Sequence, residues 1–108
     1  MRIRQRMAEL RQEVPEVTPG EACELQRRGA VLIDVREPDE RTADHVEGTL
    51  FRPLSRLHEW EHEFDGQSVV FQCRSGNRSQ QVALYLGDRV RGANLEGGIL
   101  AYRAEGLP

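Results

Sequence analysis

The sequence of 108 residues contains no lysine and only two cysteines, Cys23 and Cys73. Two cysteines are too few for a disulfide framework, which fits a reducing compartment where a thiol stays available. No apolar stretch approaches the length of a membrane span, and the first ten residues carry charges instead of the apolar core of a signal peptide. These absences predict a soluble, cytoplasmic protein without a membrane partner.

The basic residues are fifteen arginines, and they are interleaved with eighteen acidic residues. The net charge is −3. Positive charge is therefore not gathered on one face, which excludes the basic surface by which many proteins bind nucleic acid. We expect no nucleic-acid partner.

Apolar runs alternate with helix-like segments along the chain. The predicted strands cover residues 14–17, 30–35, 49–52, 68–73 and 93–95, and the predicted helices cover 18–28, 55–64, 80–90 and a closing segment that ends near 106. Continuous apolar strands separated by helices favour a parallel sheet covered on both faces. We predict one α/β domain over residues 14–108, an open sheet of about five mainly parallel strands with helices on both faces. A helical extension over residues 1–13 precedes it, because Ile3, Met7 and Leu10 form an apolar stripe.

One stretch has the order typical of a strand, a tight loop and then a helix that begins at Ser79. It reads Phe71-Gln72-Cys73-Arg74-Ser75-Gly76-Asn77-Arg78-Ser79. Such a loop directs backbone N–H groups into one concavity at the positive end of a helix dipole, which makes an anion site. Gly76 permits the left-handed turn that the loop needs. In these surroundings the pKa of a thiol falls from about 8.5 to roughly 3.5–7.5. The candidate nucleophile is Cys73, and the candidate substrate-binding loop comprises Arg74, Ser75, Gly76, Asn77 and Arg78.

The loop resembles the active-site loop of single-domain rhodaneses, the thiosulfate sulfurtransferase family. The run Asp34-Val35-Arg36-Glu37-Pro38-Asp39-Glu40 matches a second signature of that family, and the segment Leu95-Glu96-Gly97-Gly98 resembles its closing motif, with Tyr102 in place of the usual tryptophan. The turn Asp44-His45-Val46-Glu47-Gly48-Thr49 is similar to Gly-His-Ile-x-Gly-Ala but departs at its first and last positions. The resemblance covers residues 14–108.

This resemblance implies a rhodanese-like sheet and a sulfurtransferase that uses no cofactor or metal. Cys73 would take a sulfane sulfur from a small anionic donor such as thiosulfate, carry it as a persulfide, and pass it to cyanide, a thiol or a sulfur-carrier protein. In the family the strand-end aspartate and arginine brace the active loop, which implies that Asp34 and Arg36 are supporting residues here. The alternative for this pair is that both side chains lie in water at the end of the strand and the start of the next turn, without a role at the site.

Three alternatives stay open for Cys73. It could be an inert, packed cysteine at a strand end. The domain could also be a relay or interaction module that carries persulfide to a partner protein. A phosphatase or arsenate reductase is disfavoured by spacing, because four residues separate Cys73 from Arg78 whereas cysteine-dependent phosphatases have the pattern Cys-x5-Arg. A shorter loop suits one extra sulfur atom better than a phosphoryl group. Cys23 is interpreted as a packed helix residue, with a resolving role as the alternative.

The segment His58-Glu59-Trp60-Glu61-His62 satisfies the pattern His-Glu-x-x-His. On a helix this spacing places two imidazoles on one face beside a glutamate, as in zinc proteases. The pattern needs a third ligand, and the one other histidine, His45, lies upstream. We therefore favour a surface helix in which Leu54, Leu57, Trp60 or Phe64 turns inward and the histidines face water.

Overall fold

The structure is a computed structural model that describes residues 14–107. Within this range, five strands form one sheet in the order β1-β5-β4-β2-β3. Their bounds are β1 Glu16–Val17, β2 Val31–Asp34, β3 Leu50–Phe51, β4 Ser68–Gln72 and β5 Arg91–Leu95. Every pairing in the sheet is parallel, which confirms the predicted architecture. The extension predicted over residues 1–13 lies outside the described residues.

Helices connect the strands as expected for a parallel sheet. Their bounds are α1 Pro19–Arg27, α2 Pro38–Ala43, α3 Leu57–Trp60, α4 Asn77–Leu86 and α5 Gly98–Ala104, with 3₁₀ turns at Leu54–Arg56 and Gly87–Arg89. The start of α1 follows its sequence signal: the Thr18 hydroxyl accepts from the Glu21 N–H at 3.1 Å, and the Glu21 carboxylate accepts from the Thr18 N–H at 2.9 Å. This capping box satisfies two N–H groups that the first turn leaves free.

The sheet is covered on both faces because its central strands alternate their side chains between two apolar clusters. One cluster contains Phe71 and packs against α3 and α4, and the other contains Val70 and packs against α1 and α5. Cys73 lies in the first cluster, whereas Cys23 packs against the second. A disulfide between the two cysteines would have to cross the sheet, which argues against the resolving role for Cys23.

Two predicted helices differ from those observed. The helix predicted over residues 55–64 is α-helical only over Leu57–Trp60, because the chain turns back to reach β4 and Gly66 takes a left-handed φ of 78°. The helix after the loop begins at Asn77 and ends at Leu86, between Gly76 with φ 103° and Gly87 with φ 55°. The glycines therefore set both helix ends, and Val90 lies beyond α4.

Within residues 14–107, every helix is too short or too polar to cross a membrane.

Candidate active site

Cys73 lies at the carboxyl edge of the sheet, directly after the central strand β4. Parallel pairing brings the ends of the neighbouring strands to the same edge: Asp34 of β2 lies opposite Gln72, and Asn94 of β5 lies opposite Phe71. In open α/β sheets this edge is where ligands bind. The register thus brings polar residues of three strands to the edge of the sheet at which Cys73 lies.

The loop after β4 curls around the sulfur of Cys73. The Gly76 N–H donates to Sγ at 3.1 Å, and the Ser79 N–H does so at 3.5 Å. The Ser79 hydroxyl oxygen lies 3.3 Å from Sγ. Cys73 is only 1% exposed, yet its sulfur faces hydrogen-bond donors as well as apolar side chains. This environment differs from that of an inert, packed cysteine.

Burial raises the pKa of the Cys73 thiol, because a charged sulfur loses hydration. Hydrogen bonds from the hydroxyl and N–H of Ser79, followed by those from the N–H groups of Gly76 and Ser75, act in the opposite direction and outweigh it. The pKa of Cys73 therefore lies below the usual value for a free thiol. A larger fraction of the sulfur is thiolate, the nucleophilic form.

The start of α5 holds the loop from the other side. The N–H of Ile99 donates to the Cys73 carbonyl at 2.9 Å, and the N–H of Leu100 donates to the Arg74 carbonyl at 3.2 Å. The backbones approach so closely that a Cβ on Gly98 would lie 2.5 Å from both carbonyl oxygens. Gly98 also has φ 61°, so only glycine fits there without strain.

The two arginines of the loop have different surroundings. Arg78 forms a bidentate ion pair with Glu40 of α2, at 2.6 and 2.8 Å. This pair raises the pKa of Arg78 and lowers that of Glu40 to about 2. Arg74 is exposed and takes part in none of the ion pairs found between residues 14 and 107. Within residues 14–107, Arg74 thus stays outside the ion pairs, whereas Arg78 is attached to α2.

The predicted supporting residues Asp34 and Arg36 form a buried pair next to this ion pair. The Arg36 Nη2 lies 2.9 Å from Asp34 Oδ2, and the two residues are 5% and 0% exposed. Arg36 also donates to the backbone carbonyls of Glu40 and Asp44, at 3.5 and 2.6 Å. Asp34 and Arg36 therefore contact the segment that carries Glu40, the partner of Arg78.

Four residues at the site carry no individual assignment from the sequence: Ser79, Asn94, Glu40 and Gly98. Ser79 and Asn94 are 0% and 2% exposed, and the hydroxyl of the first lies 2.5 Å from the amide oxygen of the second. A polar asparagine between Ala93 and Leu95, near the end of β5, is a signal that could have been noticed. The partner of Arg78 is not readable from local sequence, because Glu40 lies 38 positions away.

The His-Glu-x-x-His segment does not form the helical arrangement of a zinc protease. His58 follows the first residue of the four-residue helix α3, and His62 lies in the turn beyond it. Their Nδ1 atoms lie 3.1 Å from Glu61 and 3.2 Å from Asp65, and their side chains are 91% and 70% exposed. Trp60 and Phe64 are buried, as predicted. Among residues 14–107, no three His, Cys, Asp or Glu side chains are grouped so that they could hold a metal ion.

A cavity of about 770 Å³ lies at the amino ends of β4 and β5, away from the edge where Cys73 lies. Val69, Val90 and Gly92 contribute to its lining, which contains no cysteine or histidine among the described residues. Cys73 is therefore not part of this cavity.

Known proteins are similar to this chain in sequence and in fold. A thiosulfate sulfurtransferase GlpE of Ectopseudomonas mendocina is 30% identical over 95 residues, which cover 85% of this chain and 87% of that protein. An uncharacterized protein of Synechocystis sp. is 37% identical over 106 residues; the match covers 94% of this chain and 59% of that relative's length. The solved structure of a rhodanese-related protein from Thermoplasma volcanium matches with a TM-score of 0.78 at 25% identity, covering 87% of this chain and 95% of that one.

A family match extends over residues 18–105, from the cap of α1 to the end of α5. It therefore includes the whole sheet except β1, and the complete loop around Cys73. The chain belongs to the rhodanese-like domain family.

Proposed function

We propose that this protein is a sulfurtransferase that moves a sulfane sulfur from a donor such as thiosulfate to a thiophilic acceptor through a persulfide on Cys73. One observation carries the proposal: two backbone N–H groups and a hydroxyl surround Sγ within 3.5 Å. Donors in this arrangement stabilise the Cys73 thiolate, the form that attacks the donor. The similarity to a thiosulfate sulfurtransferase supports the same chemistry.

In the first half-reaction, the Cys73 thiolate attacks the outer sulfur of thiosulfate. A new S–S bond forms, the original S–S bond breaks, and its electron pair leaves with sulfite. In the second half-reaction, cyanide or a thiolate attacks the outer sulfur of the persulfide. The electron pair of that S–S bond returns to Sγ, and thiocyanate or a new persulfide departs. A covalent intermediate divides one transfer into two steps and gives ping-pong kinetics.

The surrounding charges suit an anionic donor. Exposed Arg74 attracts thiosulfate to the rim of the loop and offsets charge on departing sulfite. Arg78 is engaged by Glu40, so its part is to fix the first turn of α4 and to add positive potential near the sulfur. Asp34 and Arg36 keep the neighbouring segment in place and do not meet the substrate.

The direct test is the intact mass of the reduced protein after incubation with thiosulfate. We expect one added sulfur atom, its removal by cyanide, and neither change in Cys73→Ser. Cys23→Ser is the matched control, because Cys23 packs on the opposite face of the sheet, and it should be loaded like the unmodified protein. Circular dichroism and thermal melting verify that both variants fold.

Two outcomes would contradict the proposal. The first is substantial sulfur transfer by folded Cys73→Ser. The second is Cys73-dependent hydrolysis of an aryl phosphate without persulfide formation, which would indicate a phosphatase.

The acceptor is then identified by comparing discharge to cyanide, to a small thiol and to a sulfur-carrier protein. Faster discharge to the carrier protein would assign the relay role.

A further inference from the structure

A buried amide joins the Cys73 loop to the edge strand of the sheet. Asn94 is 2% exposed, and its Nδ2 donates to the Gly76 carbonyl at 3.0 Å and to the carboxylate of Glu16 at 3.0 and 3.2 Å. Nδ2 carries two hydrogens, and these contacts use both of them. The amide oxygen therefore faces Ser79, whose hydroxyl oxygen is 2.5 Å away. Contacts on both sides fix the orientation of the amide.

The Ser79 hydroxyl has one proton and two neighbours that can receive it. Its oxygen lies 2.5 Å from the Asn94 Oδ1 and 3.3 Å from the Cys73 Sγ. An amide oxygen only accepts hydrogen bonds, so while Cys73 is a thiol the hydroxyl donates to Asn94 and the S–H can donate to Ser79. When Cys73 is an anion, the sulfur is the charged acceptor and attracts the stronger hydrogen bond.

We propose that Asn94 is a positioning residue for Cys73. Asn94 holds the Gly76 peptide in place, and it accepts the hydrogen bond of the Ser79 hydroxyl until the sulfur becomes charged and accepts that hydrogen bond instead. The exchange needs only rotation of the hydroxyl about its C–O bond. Asn94 acts through Gly76 and Ser79, whose N–H groups both donate to the sulfur. The inference rests on the proposed function for the persulfide state, whereas the thiol and thiolate states can be tested without any sulfur donor.

Charged groups near the sulfur come from three elements besides the loop. Arg78 on α4 interacts electrostatically with Cys73, and Glu40 on α2 pairs with that arginine. Glu16 on β1 contacts the Asn94 amide, and Arg74 follows the cysteine in the loop. The variants used below are neutral replacements of neutral residues, so they leave every one of these charges in place.

The test is a double-mutant cycle of Ser79→Ala and Asn94→Leu, read as the pKa of Cys73. The rate of alkylation by iodoacetamide is measured against pH and quantified on the peptide that contains Cys73, so that Cys23 does not contribute. Ser79→Ala should raise the pKa because the thiolate loses a donor; a rise of about one unit lowers the alkylation rate at pH values below the pKa roughly tenfold.

The cycle isolates the action of Asn94 through the Ser79 hydroxyl. Asn94→Leu removes the acceptor that competes for the hydroxyl proton, which lowers the pKa of Cys73 only where Ser79 is present. It also removes the hydrogen bond to Gly76, in either background. We expect Asn94→Leu to lower the pKa of Cys73 by at least about half a unit more in the protein that keeps Ser79 than in the Ser79→Ala variant. Half a unit corresponds to roughly a threefold difference in the alkylation rate. Equal shifts in the two backgrounds would overturn the proposal.

Two further variants keep the result interpretable. Asn94→Ala removes the same amide with less crowding, and it replaces Asn94→Leu in the cycle if the leucine variant does not fold. Tyr102→Phe is the matched control, because it removes another buried hydroxyl, one that lies 3.2 Å from the Cys23 sulfur. It should leave the pKa of Cys73 unchanged. Because alkylation needs no thiosulfate, additive shifts refute the role of Asn94, whereas failure to gain a sulfur refutes the proposed function.

Discussion

Glu40 and Arg78 join helix α2 to the first turn of helix α4 through two parallel hydrogen bonds, of 2.6 and 2.8 Å. Arg78 is 36% exposed and Glu40 26%, so the pair is only partly shielded from water. The pair attaches the end of the Cys73 loop to the segment that also contacts Arg36. A single ion pair thereby connects the two sequence motifs on which the site depends.

This ion pair should make stability depend on pH in the acid range. The pKa of Glu40 is lowered from 4.5 to about 2, chiefly by its hydrogen bonds to Arg78. A carboxyl with a lowered pKa contributes its full stabilisation above its unfolded pKa and loses it as the pH falls through the folded value. Glu40→Gln should therefore lower the free energy of unfolding by about 1 kcal/mol at neutral pH. As the pH falls from 4.5 to 2, the free energy of unfolding should decrease less in this variant than in the unmodified protein.

Urea unfolding at several pH values in that window measures the effect. Glu47→Gln is a suitable control, because Glu47 is exposed and lies outside the ion pairs of residues 14–107. Its pH dependence should parallel that of the unmodified protein. Parallel curves for Glu40→Gln as well would mean that the ion pair contributes nothing to stability in solution.

Gly98→Ala should disrupt the site through steric contact with the loop backbone. The added Cβ would lie 2.5 Å from the carbonyl oxygens of Cys73 and Arg74, so either the loop or α5 must move. We expect a loss of at least about 3 kcal/mol in the free energy of unfolding, well above the roughly 1–2 kcal/mol of a left-handed conformation alone. Sulfur loading of Cys73 should fall with it.

Gly106→Ala separates backbone strain from steric contact. Gly106 has φ 73°, close to the 61° of Gly98, but a Cβ there would meet no atom within 4 Å. It should cost only about 1–2 kcal/mol and leave sulfur loading intact. Similar losses in the two variants would refute the steric argument.

Arg36→Leu should be strongly destabilising. Its partner Asp34 is 0% exposed, and removal of the arginine leaves a buried carboxylate with Arg41 Nη1, at 3.3 Å, as its remaining guanidinium partner. Breaking a buried pair in this way typically costs about 3–5 kcal/mol. Arg56→Leu, which breaks the exposed pair with Glu59, should cost no more than about 1 kcal/mol. Chemical denaturation of both variants gives the comparison, and equal losses would count against a supporting role for Arg36.

Arg74→Gln should weaken recognition of an anionic donor without affecting the fold. Removing one exposed positive charge near the binding site should raise the KM for thiosulfate by roughly 5- to 30-fold, an effect of about 1–2 kcal/mol that shrinks as salt screens the remaining field. Arg91→Gln removes another exposed arginine, at the amino end of β5 and thus at the opposite edge of the sheet. It should leave KM unchanged. Steady-state kinetics at two salt concentrations measure the KM for thiosulfate in both variants. An unchanged KM in Arg74→Gln would exclude Arg74 from binding the donor.

Local rules explain why the surroundings of Cys73 were predictable. An apolar strand, a glycine and a following helix are each encoded within a few residues, and Gly76 adopts the expected left-handed conformation with φ 103°. The contacts that complete the site are of another kind. Asn94 meets Ser79 across 15 positions and Glu16 across 78, and no local pattern specifies which polar side chains will meet at such separations.

The segment after β3 illustrates a partial success. Its apolar spacing correctly predicted that Trp60 and Phe64 turn inward, and their rings pack edge to face with centroids 6.3 Å apart. The same spacing overestimated the helix, because periodicity reports which side chains are buried and not whether hydrogen bonding continues between them. Here the need to return to β4 ended the helix at Trp60.

The amides of Ile99 and Leu100 bond to the carbonyls of Cys73 and Arg74, and this has a consequence for biosynthesis. A nascent chain that has left the ribosome only as far as Cys73, just after β4, possesses the cysteine but not the backbone that shapes its surroundings. Its sulfur would behave as an ordinary thiol until a further stretch of about thirty residues is translated, a matter of seconds at roughly 5–20 residues per second. Reactivity is thus acquired only after the five strands between residues 14 and 107, which all precede α5 in the chain, have been translated.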